Sequence, residues 1–282
     1  MIKKFLKGNK NIFTILSFII ICLFIFIAIA APLLAKFDPN NQDLLMRLKP
    51  PIWSKGSNPA YILGTDDLGR DMLSRVIYGS RVSIMVGVLS VLLSGLIGIT
   101  MGLLAGYYKA LDQIAMRIAD IQLAFPSILL ALVIVAVIGG GLFNLVLVIG
   151  ITGWVRYARV VRSEVLSIRS VDYVTAAKTI GVGEYRILFR HILPNIFAPI
   201  TTIATFNIAS AIITESSLSF LGLGVPVNIP SWGNMLSEGQ LYMDSAWWMA
   251  VFPGLCIMLV VFSINILGDA LRDYMDPKTR NN

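Results

Sequence analysis

Histidine occurs once in this chain, at His191, and cysteine twice, at Cys22 and Cys256. One histidine with no cysteine or carboxylate at ligand spacing does not make a metal site, so His191 reads as a packing residue. Both cysteines fall inside apolar runs. That excludes a disulfide framework and leaves them as small packing or lipid-facing residues. Charge is also scarce. Only 14% of the 282 residues are Asp, Glu, Lys or Arg, where soluble domains carry about 25%. With 56% apolar residues and a mean hydropathy of +0.78, the chain reads as a polytopic membrane protein. No Gly-x-x-x-x-Gly-Lys-[Ser/Thr] phosphate loop is present, so any nucleotide that drives this protein must bind another polypeptide. No Ser/His/Asp set or paired carboxylate has a catalytic arrangement, which disfavours an intramembrane enzyme and leaves no catalytic residue to name.

What is present is a series of charge-free windows. No ionisable Asp, Glu, Lys or Arg lies between Lys10 and Lys36, Arg81 and Lys109, Asp120 and Arg156, Arg190 and Glu215, or Asp244 and Asp269. A spanning helix needs about 20 apolar residues. Four windows hold one span each, and Gly139-Gly140-Gly141 divides the long window from Asp120 to Arg156 into a hairpin. The pattern predicts six spans, at 12–35, 82–106, 118–138, 142–161, 196–220 and 247–269. Six spans put both termini on one side, and sixteen of the 23 Lys and Arg then fall in inside segments, as the positive-inside rule requires. The net charge of +7 is thereby a membrane-topology signal and not a nucleic-acid footprint. The N-terminal apolar run is too long for a cleavable signal core of 7–15 residues and reads as a retained span.

Residues 37–80, rich in proline, read as an irregular external segment. Within it, Thr65 is expected to cap an interfacial helix from Asp66 to Tyr78 that leads into span two. Gly98, Gly102 and Gly106 form a small-residue stripe suited to close helix packing, within the bundle or against a second subunit. After span five, Phe220–Trp232 is apolar but broken by Gly and Pro. Such backbone is tolerated near a membrane only under protein cover or facing water. Glu215, Phe220 and Trp232 are candidates for the pathway or its outer gate, with capping or packing as the other reading of Glu215. Trp232, Trp247 and Trp248 are expected to form an outer aromatic belt. Arg156, Arg159 and Arg162 recur every three residues and are expected to anchor span four at headgroup level. The span centres otherwise lack the buried charge that an ion-coupled secondary carrier needs.

The most informative segment is the polar, basic stretch from Asp172 to Pro194. Asp172 is expected to cap a short helix that Gly181 ends in a left-handed conformation. Ala176 and Ala177 keep its surface low. A second helix is expected from Glu184 to Leu193, past Arg190, and Pro194 suits a fresh start for span five. Ala176-Ala177, Gly181 and Leu193-Pro194 stand in the register of the loop pattern of ABC-importer permeases, Glu-Ala-Ala, three residues, Gly, nine residues, Ile, one residue, Leu-Pro. Thr175 stands where that family has Glu, and His191 where it has Ile. Leu63–Asp71, Ala124-Phe-Pro126, Glu215–Gly224, Pro230–Gly233 and Gly268–Arg272 with Asp276-Pro277 extend the resemblance over nearly the whole chain. They are similar to the second permease subunit of oligopeptide, dipeptide and nickel importers.

The resemblance implies an all-α integral membrane protein with the type I importer permease fold. Its parts are an N-terminal region (1–80: span one plus external segment), a permease domain (81–275) containing a cytoplasmic coupling loop (162–195), and a tail (276–282). It implies a multi-pass protein of the bacterial cell membrane with cytoplasmic termini. The expected partners are a homologous permease, two ATPase subunits that bind ATP and Mg, and an extracellular or periplasmic substrate-binding protein. This chain itself is expected to bind no cofactor, metal or nucleic acid. The cargo it implies is peptide, or nickel or a metallophore.

Overall fold

The structure, a computed structural model, describes residues 12–275. The N-terminal lysines and the tail from Asp276 onward, which carry part of the positive-inside argument, lie outside the described residues. The main helices are α1 (Ile12–Leu34), α2 (Met72–Tyr107), α3 (Lys109–Leu123), α4 (Ser127–Ile138), α5 (Leu142–Ile168), α6 (Asp172–Thr179), α7 (Glu184–Arg186), α8 (Phe197–Phe220), α9 (Trp232–Gln240) and α10 (Trp248–Met275). Five stretches are long and apolar enough to cross a membrane by themselves, and α3 with α4 form a bent pair that counts as a sixth if the two are one broken span.

That pair corrects the third predicted span. α3 and α4 meet at 89°. Pro126 has no N–H to continue the ladder, and its ψ of 127° leaves the helical region. The crossing thus breaks at Ala124–Pro126 and does not run straight through 118–138.

α2 and α5 form the spine of the bundle. The small-residue stripe lies between them, within the bundle. An added Cβ at Gly98 would sit 2.4 Å from the Trp154 carbonyl oxygen. At Gly102 it would sit 2.7 Å from the Ala158 carbonyl oxygen and from Val161 Cβ. Backbone cannot yield as a side-chain tip can, so Gly102→Val forces the helices apart. Overpacking of this kind costs about 1–3 kcal/mol. We expect the Gly102→Val permease to unfold at lower temperature in detergent than the parent, and an unchanged Tm would show that the stripe has slack.

The segment before span two is pinned to the bundle by buried ion pairs. The expected helix from Asp66 does not form. α2 starts at Met72, with the Asp71 side chain accepting from Ser74 N at 2.8 Å. The boundary placed at 80/81 therefore falls inside one continuous helix. Asp66 is instead buried and bridges its own turn to α2. Its Oδ1 accepts from Leu68 N and Arg70 N, each at 2.9 Å. Its Oδ2 accepts from Arg70 Nε at 2.6 Å and Arg75 Nη1 at 2.8 Å. Both arginines also reach Glu238 Oε2 on α9, at 3.1 and 2.9 Å. Burial pushes the Glu238 carboxyl up, against the lowering pull of Arg75 and Arg70. The network thus fixes three segments relative to one another at a desolvation cost.

Two tryptophans complete this lobe and correct the aromatic belt. Trp232 has no exposed surface. Its Nε1 donates to the Val76 carbonyl at 3.1 Å, and its ring meets Phe24 edge-on at 5.6 Å. Trp248 is also buried and donates to the Thr65 carbonyl at 2.9 Å. Each ring found a carbonyl partner inside the protein, which removes the reason for a place at the water boundary. Trp247 alone of the three is substantially exposed.

Candidate functional site: the elbow between α5 and α8

The stretch Asp172–Pro194 folds as a helix, a tight turn and a second, irregular helix leading into α8. α6 begins at Asp172, with Val171 as the cap residue. Asp172 is thus a first-turn acid that favours the positive helix end and not the cap itself. Gly181 has φ +80°. The Gly181 N–H bonds the Lys178 carbonyl and the Val182 N–H bonds the Ala177 carbonyl, both at 3.0 Å. This paired closure is a Schellman motif, and it needs a left-handed residue at position 181.

The second helix departs from expectation. α7 covers only Glu184–Arg186. The next turn, Ile187–Ile192, is widened so that Leu193 N bonds the Leu188 carbonyl, and a 3₁₀ turn over Leu193–Ile196 joins α8. Pro194 is the physical reason. It has no N–H, and its ring excludes the carbonyl four residues back, so the chain widens before it. Local side chains cover the loosened backbone: Asn195 Nδ2 donates to the His191 carbonyl at 2.6 Å, and the Tyr173 hydroxyl lies 3.5 Å from the same oxygen.

The elbow has an apolar inside and, on its outer surface, a few large apolar side chains among polar ones. Val174, Ala177, Ile187, Leu188, Ile192 and Ile196 are buried together with Leu103, Val161 and Val165 of α2 and α5. Away from that core, Ile180 is 80% exposed, Tyr185 74% and Phe189 46%, with the Tyr185 and Phe189 rings 4.5 Å apart. Thr175, Ala176, Gly181, Glu184, Arg190 and Pro194 are exposed too, and Leu193 is half-buried. The expected loop residues thus share one protruding element with an apolar tip.

Contacts invisible in the loop's own sequence tie it to the spans. The Tyr108 hydroxyl, at the junction of α2 and α3, donates to Glu184 Oε2 at 2.7 Å, and that bond raises the Tyr108 pKa. Lys178 Nζ stands 4.8 Å from the Tyr107 ring centroid. Arg169 Nη1 donates to the Gly106 carbonyl at 2.9 Å. Arg156 and Arg159, of the arginine row expected at headgroup level, are exposed, Arg162 is half-buried, and each has a partner on another helix. Arg159 pairs with Asp120, and Arg162 forms a two-pronged pair with Asp112, both acids on α3. Arg156 instead reaches Ser210 Oγ on α8 at 3.1 Å.

At the end of α8 away from the elbow, Glu215 has no exposed surface and accepts from Ser83 Oγ at 3.1 Å and Ser219 Oγ at 2.8 Å. Trp232 is equally enclosed, and Phe220 is half-buried. Within this subunit the Glu215 and Trp232 side chains are enclosed by protein. The Gly- and Pro-rich loop is held by protein: Gly141 N–H donates to the Gly224 carbonyl at 3.0 Å, and Asn234 Nδ2 to the Val225 carbonyl at 3.0 Å. Among the described residues, Asp66, Asp67 and Glu238 form a cluster of acids close enough to hold a cation. Arg70 and Arg75 already occupy Asp66 and Glu238.

A bundle of spans carrying a protruding, apolar-tipped elbow has the form of a transport subunit driven from outside itself. Residues 94–281 match the family model of the binding-protein-dependent transport system inner membrane component. The chain belongs to this family. Residues 9–51 also match the N-terminal TM domain of oligopeptide transport permease C. The di/tripeptide transport system permease protein DppC of Pseudomonas aeruginosa is 45% identical over 92% of this chain and 86% of its own length. The oligopeptide transport system permease protein OppC of Bacillus subtilis is 40% identical over 98% and 88%. A solved structure of the MetNI methionine ABC transporter in inward-facing conformations superposes with a TM-score of 0.60. It covers 73% of this chain and 98% of the other at 17% identity, and shows the shared fold. The protein is thus a multi-pass inner-membrane permease of an ABC importer, a transport component and not an enzyme. Family membership implies ATPase and binding-protein partners.

Proposed function

We propose that this permease is half of the translocation pathway of a peptide importer, paired with a second, homologous permease and two ATPase subunits, with its termini and elbow in the cytoplasm. The observation that carries the reading is the elbow's exposed tip of Ile180, Tyr185 and Phe189 on a base fixed by buried Val174 and Ala177. A helix-turn-helix with a rigid base and an apolar tip suits insertion into a cleft on a soluble partner. Closure of the ATPase dimer pushes the elbow. The push passes through Glu184–Tyr108, Lys178–Tyr107 and Arg169–Gly106 to the inner ends of α2 and α3, and the spans switch facing. The peptide cargo is supported by the names of the relatives.

Tyr185→Asp tests the docking face. A carboxylate forced into an apolar interface without a partner is strongly disfavoured, and loss of a central aromatic anchor costs about 2 kcal/mol or more. We expect the variant to insert normally but to lose the ATPase subunits on purification in mild detergent. Full co-purification would remove the tip from the interface.

A further inference from the structure

Arg156 stands apart from the paired arginines on α5. Among the described residues no carboxylate lies within ion-pair reach of it. Its Nη1 donates to Ser210 Oγ at 3.1 Å and lies 3.4 Å from Asn207 Oδ1. It rims a pocket between α2, α5 and α8 that Ser90, Ser94 and Thr152 also line and that no acidic side chain enters. Ser90 is 1% exposed, yet its hydroxyl has no hydrogen-bond partner. Asn207 is 7% exposed, and its side chain lies beside the Tyr157 hydroxyl, yet neither the amide nitrogen nor that hydroxyl completes a bond of good geometry. Buried polar atoms without partners are rare in native proteins and call for an occupant.

The depth of the pocket sharpens the point. Ser90 and Ser94 fall at the middle of the 36-residue α2, and Asn207 near the middle of the 24-residue α8. An ionisable side chain on a membrane-spanning helix that faces a polar cavity marks a solute path more often than a structural contact. The free space is about 60 Å³. One water needs about 10–15 Å³ of such space, so the pocket has room for a carboxylate-sized polar group. The groups offered are a guanidinium fork, hydroxyls and an amide nitrogen, all able to donate, with no competing carboxylate. A planar anion is the complement of that set.

We propose that this pocket binds a carboxylate of the transported solute as it crosses the membrane, with Arg156 as counter-charge and Ser90, Asn207 and Ser210 as hydrogen-bonding groups. The proposal rests on the peptide-importer reading, in which each cargo molecule carries a C-terminal carboxylate. The rest of the peptide extends out of the pocket towards the partner permease. Because the pocket takes the terminus and no side chain, one subsite serves peptides of many sequences.

The test uses the assembled importer in proteoliposomes, with dialanine and dialanine amide as probes at equal occupancy of the binding protein. A charge-assisted contact is worth roughly tenfold or more in rate discrimination. The parent importer is therefore expected to move dialanine about tenfold faster than its amide. Arg156→Gln is expected to slow dialanine to near the rate of the amide, so that the ratio approaches one. Arg156→Lys is expected to keep part of the preference. If Arg156→Gln fails to co-purify with its partners, Ser210→Glu carries the test, because it supplies an internal carboxylate to Arg156 and should abolish the same preference. A parent-like ratio in either assembled variant would overturn the subsite while leaving the peptide importer intact. A parent importer that moves no peptide, dialanine or longer, but moves a non-peptide solute would overturn the peptide reading and the subsite with it.

Discussion

Replacing Gly181 with valine is expected to cut ATP-driven uptake by more than tenfold while the permease still inserts. Space is not the cause, since an added Cβ at Gly181 meets nothing within 4 Å. The cause is the backbone. A φ of +80° is open to glycine but costs an L-residue roughly 1–2 kcal/mol, with β-branched residues at the upper end. Valine therefore favours release of the Schellman closure, and the bonds from Gly181 to Lys178 and from Val182 to Ala177 go with it. α6 then loses its fixed angle to the widened turn that carries Phe189. A lever with a loose hinge transmits little of a push. Uptake measured beside membrane-inserted protein separates this effect from misfolding, and parent-like uptake would count heavily against the elbow as the lever. Alanine at the same position is expected to be intermediate.

Arg75→Met is expected to destabilise the permease by about 3–5 kcal/mol, the usual cost of breaking a buried ion pair from one side. Arg75 is 1% exposed and holds both Asp66 and Glu238. Without it, buried Asp66 and half-buried Glu238 share Arg70 alone. The external turn is then free to leave α9, and Trp248 loses its fixed acceptor at Thr65. The change should appear as a fall of about 10 °C in the Tm of the detergent-purified subunit. Arg75→Lys should recover only part of it, because an ammonium cannot span the two carboxylates as a planar fork does. A Tm within a degree or two of the parent would show that the network is not what fixes the lobe.

The spans were legible because a bilayer imposes one dominant rule. Charge-free windows of sufficient length become helices, and the windows after Lys10, Arg81 and Asp244 each did. The elbow was legible because turn chemistry is local: Gly181 had to be left-handed, and Pro194 had to interrupt a ladder. The external lobe was not legible because its logic is long-range. Arg70 and Glu238 are 168 residues apart, and nothing in the local pattern of Asp66–Arg75 distinguishes a buried clamp from the acidic start of an interfacial helix. The tryptophans misled for a related reason. An amphipathic ring near a polar loop fits a membrane boundary equally well, until a partner carbonyl such as that of Val76 is known. The partners of the arginine row were not legible either, because Asp120 and Asp112 lie on another helix, 39 and 50 residues from Arg159 and Arg162.

Position-specific cross-linking from the tip tests the central claim most directly. Cysteine at position 180, in a background with Cys22 and Cys256 replaced, places a thiol on a side chain that is 80% exposed. In the assembled importer, a short bifunctional reagent is expected to join it to an ATPase subunit, with a yield that changes when ATP closes the ATPase dimer. Labelling of that thiol from outside intact cells, or cross-links to no ATPase in either nucleotide state, would contradict the account.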